Sequence, residues 1–195
     1  DSARKAFGIV FQDPTLDEEL SAYENMELHA ILYGMPKATR RKKIEELMKL
    51  VELWARKDSM IKTYSGGMRR RLEIARGLVH EPKVLFLDEP TLGLDTQTRN
   101  LMWQYVKKLS DEKGMTIFFT THYLDEAEAV AERIAIIDNG TIVAHGTTAS
   151  LCKQTKTKTL EDAYLSLTGS TIRDDSGAGN NGLNFKTSQR NRNLR

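Results

Sequence analysis

At 195 residues, 39% hydrophobic and 29% charged, the chain suits one domain or one and a half with a real core. The formal charge of +2 is unevenly spread: residues 170–195 hold five Lys/Arg and two Asp, so they carry +3 and the first 169 residues sit at −1; the body is not a basic nucleic-acid binder by charge. Cys152 stands alone, which excludes a disulfide framework and points to a reducing compartment, and the apolar runs of about five residues fall far short of the roughly twenty that a membrane span needs.

In chain order, residues 6–11 read as a short strand, followed by a polar loop containing Pro14. Ser21-Ala22-Tyr23-Glu24 has the form of a capping box, and Gly34 with Pro36 closes the helix that it opens. Ile44, Leu47, Val51 and Trp54 recur at helical spacing and predict an amphipathic helix over residues 39–54. Met68, Leu72, Ala75 and Val79 mark another helix, opened by Ser65-Gly66-Gly67 and ended before Pro82. Residues 83–88 form a strand, Leu101, Tyr105 and Leu109 the stripe of a helix ending at Gly114, and residues 115–120 a further strand. A short helix from Leu124 runs into a strand over residues 134–138. Asn139-Gly140 is a two-residue hairpin turn, with residues 141–144 as the return strand. Thr159 caps a last helix reaching Thr168. Beyond Gly169, Gly, Asn, Ser and Arg dominate, so residues 170–195 are expected to be disordered. The alternation of strand and helix over residues 83–138 predicts one parallel sheet with covering helices. Residues 12–79 are almost wholly helical and read as an insertion beside it.

Two segments carry chemistry. Val84-Leu85-Phe86-Leu87 runs into Asp88-Glu89, which places two acids at the carboxyl end of a strand, where open α/β sheets bind ligands. Such a pair can order Mg²⁺ through Asp88 and polarise a water through Glu89. The plainer reading is a solvated pair at a strand end. Ser65-Gly66-Gly67, opening a helix, makes an anion site from backbone N–H groups and the helix dipole, although the same tripeptide is common in linkers. His122 ends the strand after Asp88-Glu89 and comes near the carboxylates if the two strands are neighbours. By itself, a histidine there is more often structural. A phosphate-binding Gly-x-x-x-x-Gly-Lys-Ser/Thr occurs nowhere in the chain, which begins at Asp1 amid charged residues; an amino-terminal truncation is expected.

The order of the pieces resolves these ambiguities. Phe11-Gln12-Asp13, Tyr64-Ser65-Gly66-Gly67-Met68, Leu87-Asp88-Glu89-Pro90, Gly93-Leu94-Asp95 and Thr120-Thr121-His122 together closely resemble the Q-loop, signature, Walker B, D-loop and switch histidine of the ATP-binding cassette ATPases. The stretch from Asp138 to Thr147 is similar to the hairpin that follows the switch in that family. The ending from Thr159 to Gly169, with Tyr64 and Met68, resembles its drug, lipid and polysaccharide exporter branch, typified by the daunorubicin exporters.

The resemblance implies an α/β fold: a P-loop NTPase-like parallel sheet with a helical subdomain, its amino-terminal part missing. Residues 1–169 would form a partial ATPase domain, with the helical subdomain at about 13–80, core sheet and helices at 81–146 and carboxyl-terminal helices at 147–169. It implies ATP and Mg²⁺ as cofactors, with Gln12 and Asp88 at the metal and Glu89 and His122 catalytic. Ser65, Gly66 and Gly67 would bind the γ-phosphate held by a partner domain in a head-to-tail dimer, and Asp95 would couple the two sites. The other partners would be transmembrane permease subunits at the cytoplasmic face of the cell membrane; no nucleic acid is expected. The chain alone would be a fragment inactive in hydrolysis. Two alternatives stay open: a non-transport ATPase of the ribosome-acting type, and a non-enzymatic remnant that binds a partner.

Overall fold

The computed structural model describes residues 6–169. The expected disordered segment, residues 170–195, lies outside them. Strand β1 (Phe7–Val10) leads through a loop to α1 (Ala22–Leu32). The capping box is present in both directions: the Glu24 backbone N–H donates to Ser21 Oγ at 3.2 Å and the Ser21 N–H to Glu24 Oε2 at 2.7 Å. Ser21 also bridges to Met60, so this cap ties α1 to the loop before the Ser65 turn. Ser21→Ala should lower stability by about 1 kcal/mol, within the 0.5–2 kcal/mol range of lost N-caps, read as a shift of the urea midpoint at unchanged slope.

Helix α2 (Lys37–Leu50) buries Ile44, Leu47 and Met48. It stops short of the predicted Trp54. Glu52 takes a left-handed conformation (φ 58°), the Leu53 N–H bonds Met48 O at 2.8 Å and the Glu52 N–H bonds Lys49 O at 3.1 Å, which is a Schellman closure. Trp54 then begins a separate 3₁₀ turn. The apolar periodicity runs past the closure because Val51 and Leu53 are still buried, so pattern alone overran the helix end.

Helix α3 (Gly66–Gly77) is followed by β2 (Val84–Leu87), α4 (Thr96–Lys113), β3 (Thr116–Phe119), α5 (Leu124–Val130), the hairpin β4 (Ile134–Asp138) and β5 (Thr141–Gly146), then α6 (Thr148–Thr155) and α7 (Leu160–Thr168). Asn139 (φ 49°) and Gly140 (φ 74°) both have positive φ, as a type I′ turn requires.

Strands β1, β2 and β3 form a parallel sheet in that order. Residues Ile9, Phe86 and Phe118 stand in one row across it, and Val10, Leu87 and Phe119 in the next. The sheet departs from expectation at β4, which does not join it. The two-residue turn brings β5 alongside, and all five β4 residues pair with β5 instead. Among the described residues β3 is therefore a border strand.

One sheet face is covered. Val10, Leu85 and Leu87 share a core with Leu72, Ile74 and Ala75 of α3 and Met102, Trp103 and Val106 of α4. Helix α3 lies so close to β1 that a Cβ on Gly8 would sit 2.4 Å from Gly77 O. Among the described residues the opposite face is open: Ile9 is 42%, Phe86 38% and Phe118 55% exposed. A second, smaller core of Ala127, Ile136, Ala144, Leu151 and Leu160 holds the hairpin to α5, α6 and α7. No helix among the described residues is long and apolar enough to cross a membrane.

Candidate active site at the carboxyl ends of the strands

The three parallel strands end side by side, and the ladder continues past them. The Asp88 N–H donates to Val10 O at 2.9 Å and the Thr120 N–H to Leu87 O at 3.0 Å. Asp88 and Thr120 are thereby level at the sheet's rim. Thr120 Oγ1 donates to Asp88 Oδ1 at 2.5 Å and accepts the Glu89 N–H at 3.0 Å. That hydroxyl holds the carboxylate of one acid and the backbone of the next. Glu89 has φ 44°, a left-handed conformation that costs a non-glycine residue roughly 1–3 kcal/mol. The bend turns the chain sharply off the strand. Glu89 Oε2 lies 3.0 Å from His122 Nδ1. The alignment falls short of a hydrogen bond, so this buried oxygen accepts none among the described residues. The Glu89 side chain is 18% exposed and that of His122 54%, so the pair sits at the rim of solvent.

Gln12 follows the end of β1 and is exposed. Asp88 and Gln12 thus end neighbouring strands and offer hard oxygen donors. That suits Mg²⁺, which keeps several waters and takes one or two protein ligands beside substrate phosphates.

The Ser65 turn lies on a different element. Ser65 caps α3, its Oγ accepting the Met68 N–H at 3.3 Å. The hydroxyl keeps its own proton to donate. A Cβ on Gly66 would meet nothing within 4 Å, whereas one on Gly67 would lie 2.6 Å from Thr98 Cγ2 in the first turn of α4. Gly66 is thus open to an approaching group, and Gly67 lets α3 seat on α4. Asp95 caps α4: its carboxylate accepts the Thr98 N–H at 3.0 Å and the Thr98 hydroxyl at 2.7 Å, and these bonds hold it below its ordinary pKa. Tyr64 and Met68, where the general family pattern has other residues, serve packing. Tyr64 is buried and donates to Arg56 O at 2.8 Å, and Met68 packs partly buried on the main core.

Of the residues singled out in the sequence, Asp88, Glu89 and His122 come together, with Gln12 one strand away. Ser65, Gly66, Gly67 and Asp95 lie at the paired starts of α3 and α4. Sequence reasoning passed over three residues. Thr120, inside a quoted motif, has the hydroxyl that organises Asp88 and Glu89. Glu126 is buried and its Oε2 accepts the Thr91 hydroxyl at 2.7 Å and that of Thr121 at 3.3 Å, with Arg99 Nη1 3.6 Å from Oε1. Arg70 is buried on α3 and pairs with Glu73 at 3.3 Å. Burial pulls its guanidinium below the ordinary value, and the charges of Glu73 and Asp88 oppose that. The signal for Arg70 was present: within Arg69-Arg70-Arg71 it alone stands three residues before Glu73 and four before Ile74, on the face that becomes buried.

A parallel sheet that brings an Asp-Glu pair, a histidine and a polar side chain together at its strand ends offers a site at the edge where open α/β sheets bind ligands. Comparison with known proteins sharpens this. Residues 1–92 match the family model described as ABC transporter. The chain is 45% identical over 151 residues to the daunorubicin/doxorubicin resistance ATP-binding protein DrrA of Streptomyces peucetius, covering 77% of this chain and 46% of that protein. It is 41% identical over 152 residues to the linearmycin resistance ATP-binding protein LnrL of Bacillus subtilis, covering 78% and 49%. Among solved structures, it superposes on an ATP-binding subunit of an ABC transporter with a TM-score of 0.74 at 28% identity, covering 85% of this chain and 70% of that one. It also superposes on the dimeric post-hydrolysis ATP-binding cassette MJ0796, bound to ADP and Pi, with a TM-score of 0.66 at 32% identity, covering 74% and 64%. The chain carries part of an ABC transporter ATP-binding domain, and it spans about half the length of the curated relatives it matches.

Proposed function

We propose that this sequence is part of the ATP-binding and ATP-hydrolysing subunit of an ABC exporter. The observation that carries the reading is Glu89, bent off the end of β2 beside Asp88, with a buried oxygen 3.0 Å from His122. A carboxylate so placed can take a proton from a water directed at a phosphate. His122 would orient Glu89 and contact the γ-phosphate, and Thr120 would hold both acids in register. Asp88 and Gln12 would bind Mg²⁺, which when present neutralises phosphate charge. Ser65 and the N–H groups of Gly66 and Gly67 would supply an anion site to nucleotide held by a second, head-to-tail domain. Asp95, already ordered as a cap, would present the loop between the two sites to that domain.

The exporter reading rests on the drug-resistance names of the relatives and on the Tyr64 and Met68 variants. Its partners would be transmembrane permease subunits, and its place the cytoplasmic face of the membrane, as a peripheral subunit. Residues 13–80 would form the helical subdomain facing those partners, residues 81–146 the core and residues 147–169 the carboxyl-terminal helices.

The 195-residue chain contains no phosphate-cradling Gly-rich loop, so by itself it should release no phosphate from ATP above the background of a Glu89→Gln control. A protein joining the same sequence to an intact phosphate-binding loop should hydrolyse ATP. Turnover by the lone chain at a rate like that of the joined protein would refute the assignment of roles.

A further inference from the structure

Arg70 reaches three backbone carbonyls from two separate segments, one after β1 and one after β2. Its Nε donates to Pro90 O at 2.9 Å, its Nη2 to Asp88 O at 2.6 Å and its Nη1 to Phe11 O. Each belongs to a segment that carries a site residue: Phe11 precedes Gln12, Asp88 precedes Glu89, and Pro90 follows Glu89. Resting on the proposed roles of Gln12 and Glu89, we infer that Arg70 is a positioning residue that sets the active-site backbone from the signature helix, linking the anion-binding turn on α3 to the two strand ends where hydrolysis takes place.

Three further observations support this. First, Arg70 is itself held. Glu73 Oε2 lies 3.3 Å from Nη1, while Glu73 Oε1 accepts the Thr15 N–H at 2.7 Å, so the pair also anchors the loop after Gln12. Second, the carbonyls on either side of Glu89 are both fixed, at Asp88 and Pro90. A left-handed glutamate persists only where its surroundings over-determine it, and Arg70 grips both neighbours of that bend. Third, α3 is packed closely at both ends. Gly67 seats its first turn on Thr98 and Gly77 seats its last turn on Gly8, so the turn and Arg70, three residues from Gly67, share one helix held at both ends. Only a planar fork with several N–H groups spans three carbonyls; an ammonium is a point donor.

The test uses a protein joining this sequence to an intact phosphate-binding loop. Arg70→Lys keeps the charge beside Glu73. It should stay folded, with melting temperature within a few degrees of the parent and ATP Kd and KM within about threefold, while kcat falls by about 10- to 100-fold, the scale of a small misplacement of catalytic groups. Arg70→Met with Glu73→Gln removes both buried charges together, which avoids stranding one of them, and should show the same split. A role limited to stability would move the melting temperature and leave kcat per folded molecule unchanged. If either variant is folded and turns over within threefold of the parent while Glu89→Gln has lost turnover, the inference for Arg70 is overturned and the assignment of Glu89 stands. If Glu89→Gln itself retains turnover, the reading beneath fails and the inference falls with it.

Discussion

Glu89→Gln, in a protein that joins this sequence to an intact phosphate-binding loop, should retain ATP binding and lose hydrolysis by about 10²- to 10⁴-fold, the usual loss for a positioned general base. The substitution is close to isosteric. It keeps the backbone N–H that donates to Thr120 Oγ1 and leaves the Thr120–Asp88 bond untouched, so the bend at the end of β2 and the metal-side carboxylate should survive. What is lost is the charge on an oxygen 3.0 Å from His122 Nδ1. Single-turnover phosphate release, with nucleotide binding followed separately, distinguishes the two effects. Turnover within a few-fold of the parent would show that another group takes the proton.

Ser65→Arg, on the Glu89→Gln background, should abolish ATP-dependent dimerisation while the monomer still binds ATP. The turn is open at Gly66 and carries a hydroxyl whose proton is available. An arginine would fill that opening with a side chain in the space a neighbouring domain's nucleotide needs, and would remove the helix cap. Loss of a cap costs only about 1 kcal/mol, so the fold should persist and the defect should lie in association. Sedimentation velocity with and without ATP reads this directly. A dimer of undiminished stability would mean that the turn does not act across a domain boundary.

Much of this architecture was legible because local signals were strong. The capping box at Ser21, the Asn139-Gly140 turn and the Thr159 cap each specify backbone geometry within a few residues, and each is present as read. The acids and the histidine were legible for a similar reason, since each closes an apolar strand. Three features were not legible, for different reasons. The end of α2 depended on Glu52 accepting a left-handed conformation, which residue type does not announce. That β4 pairs with β5 but stays out of the parallel sheet was not legible, because the turn announces the local partner while periodicity is silent on the strand's other edge. Helix α6 went unplaced within the carboxyl-terminal region because its eight residues bury only Leu151. In the site, Thr120 and Arg70 act through backbone carbonyls and a shared hydroxyl, contacts that exist only once three strand ends have been brought together.

The uncovered sheet face has a consequence for handling the chain in solution. Phe86 makes an edge-on contact with Phe7 at 6.1 Å and a tilted one with Phe118 at 5.6 Å, so these rings and Ile9 form a continuous oily strip facing water. Parallel sheets are ordinarily sheathed on both sides, and a bare one beside an open strand edge is adhesive. The lone chain will therefore take up apolar dyes, and its apparent melting temperature will depend on how concentrated it is, because molecules that shield one another's strips stabilise one another by mass action.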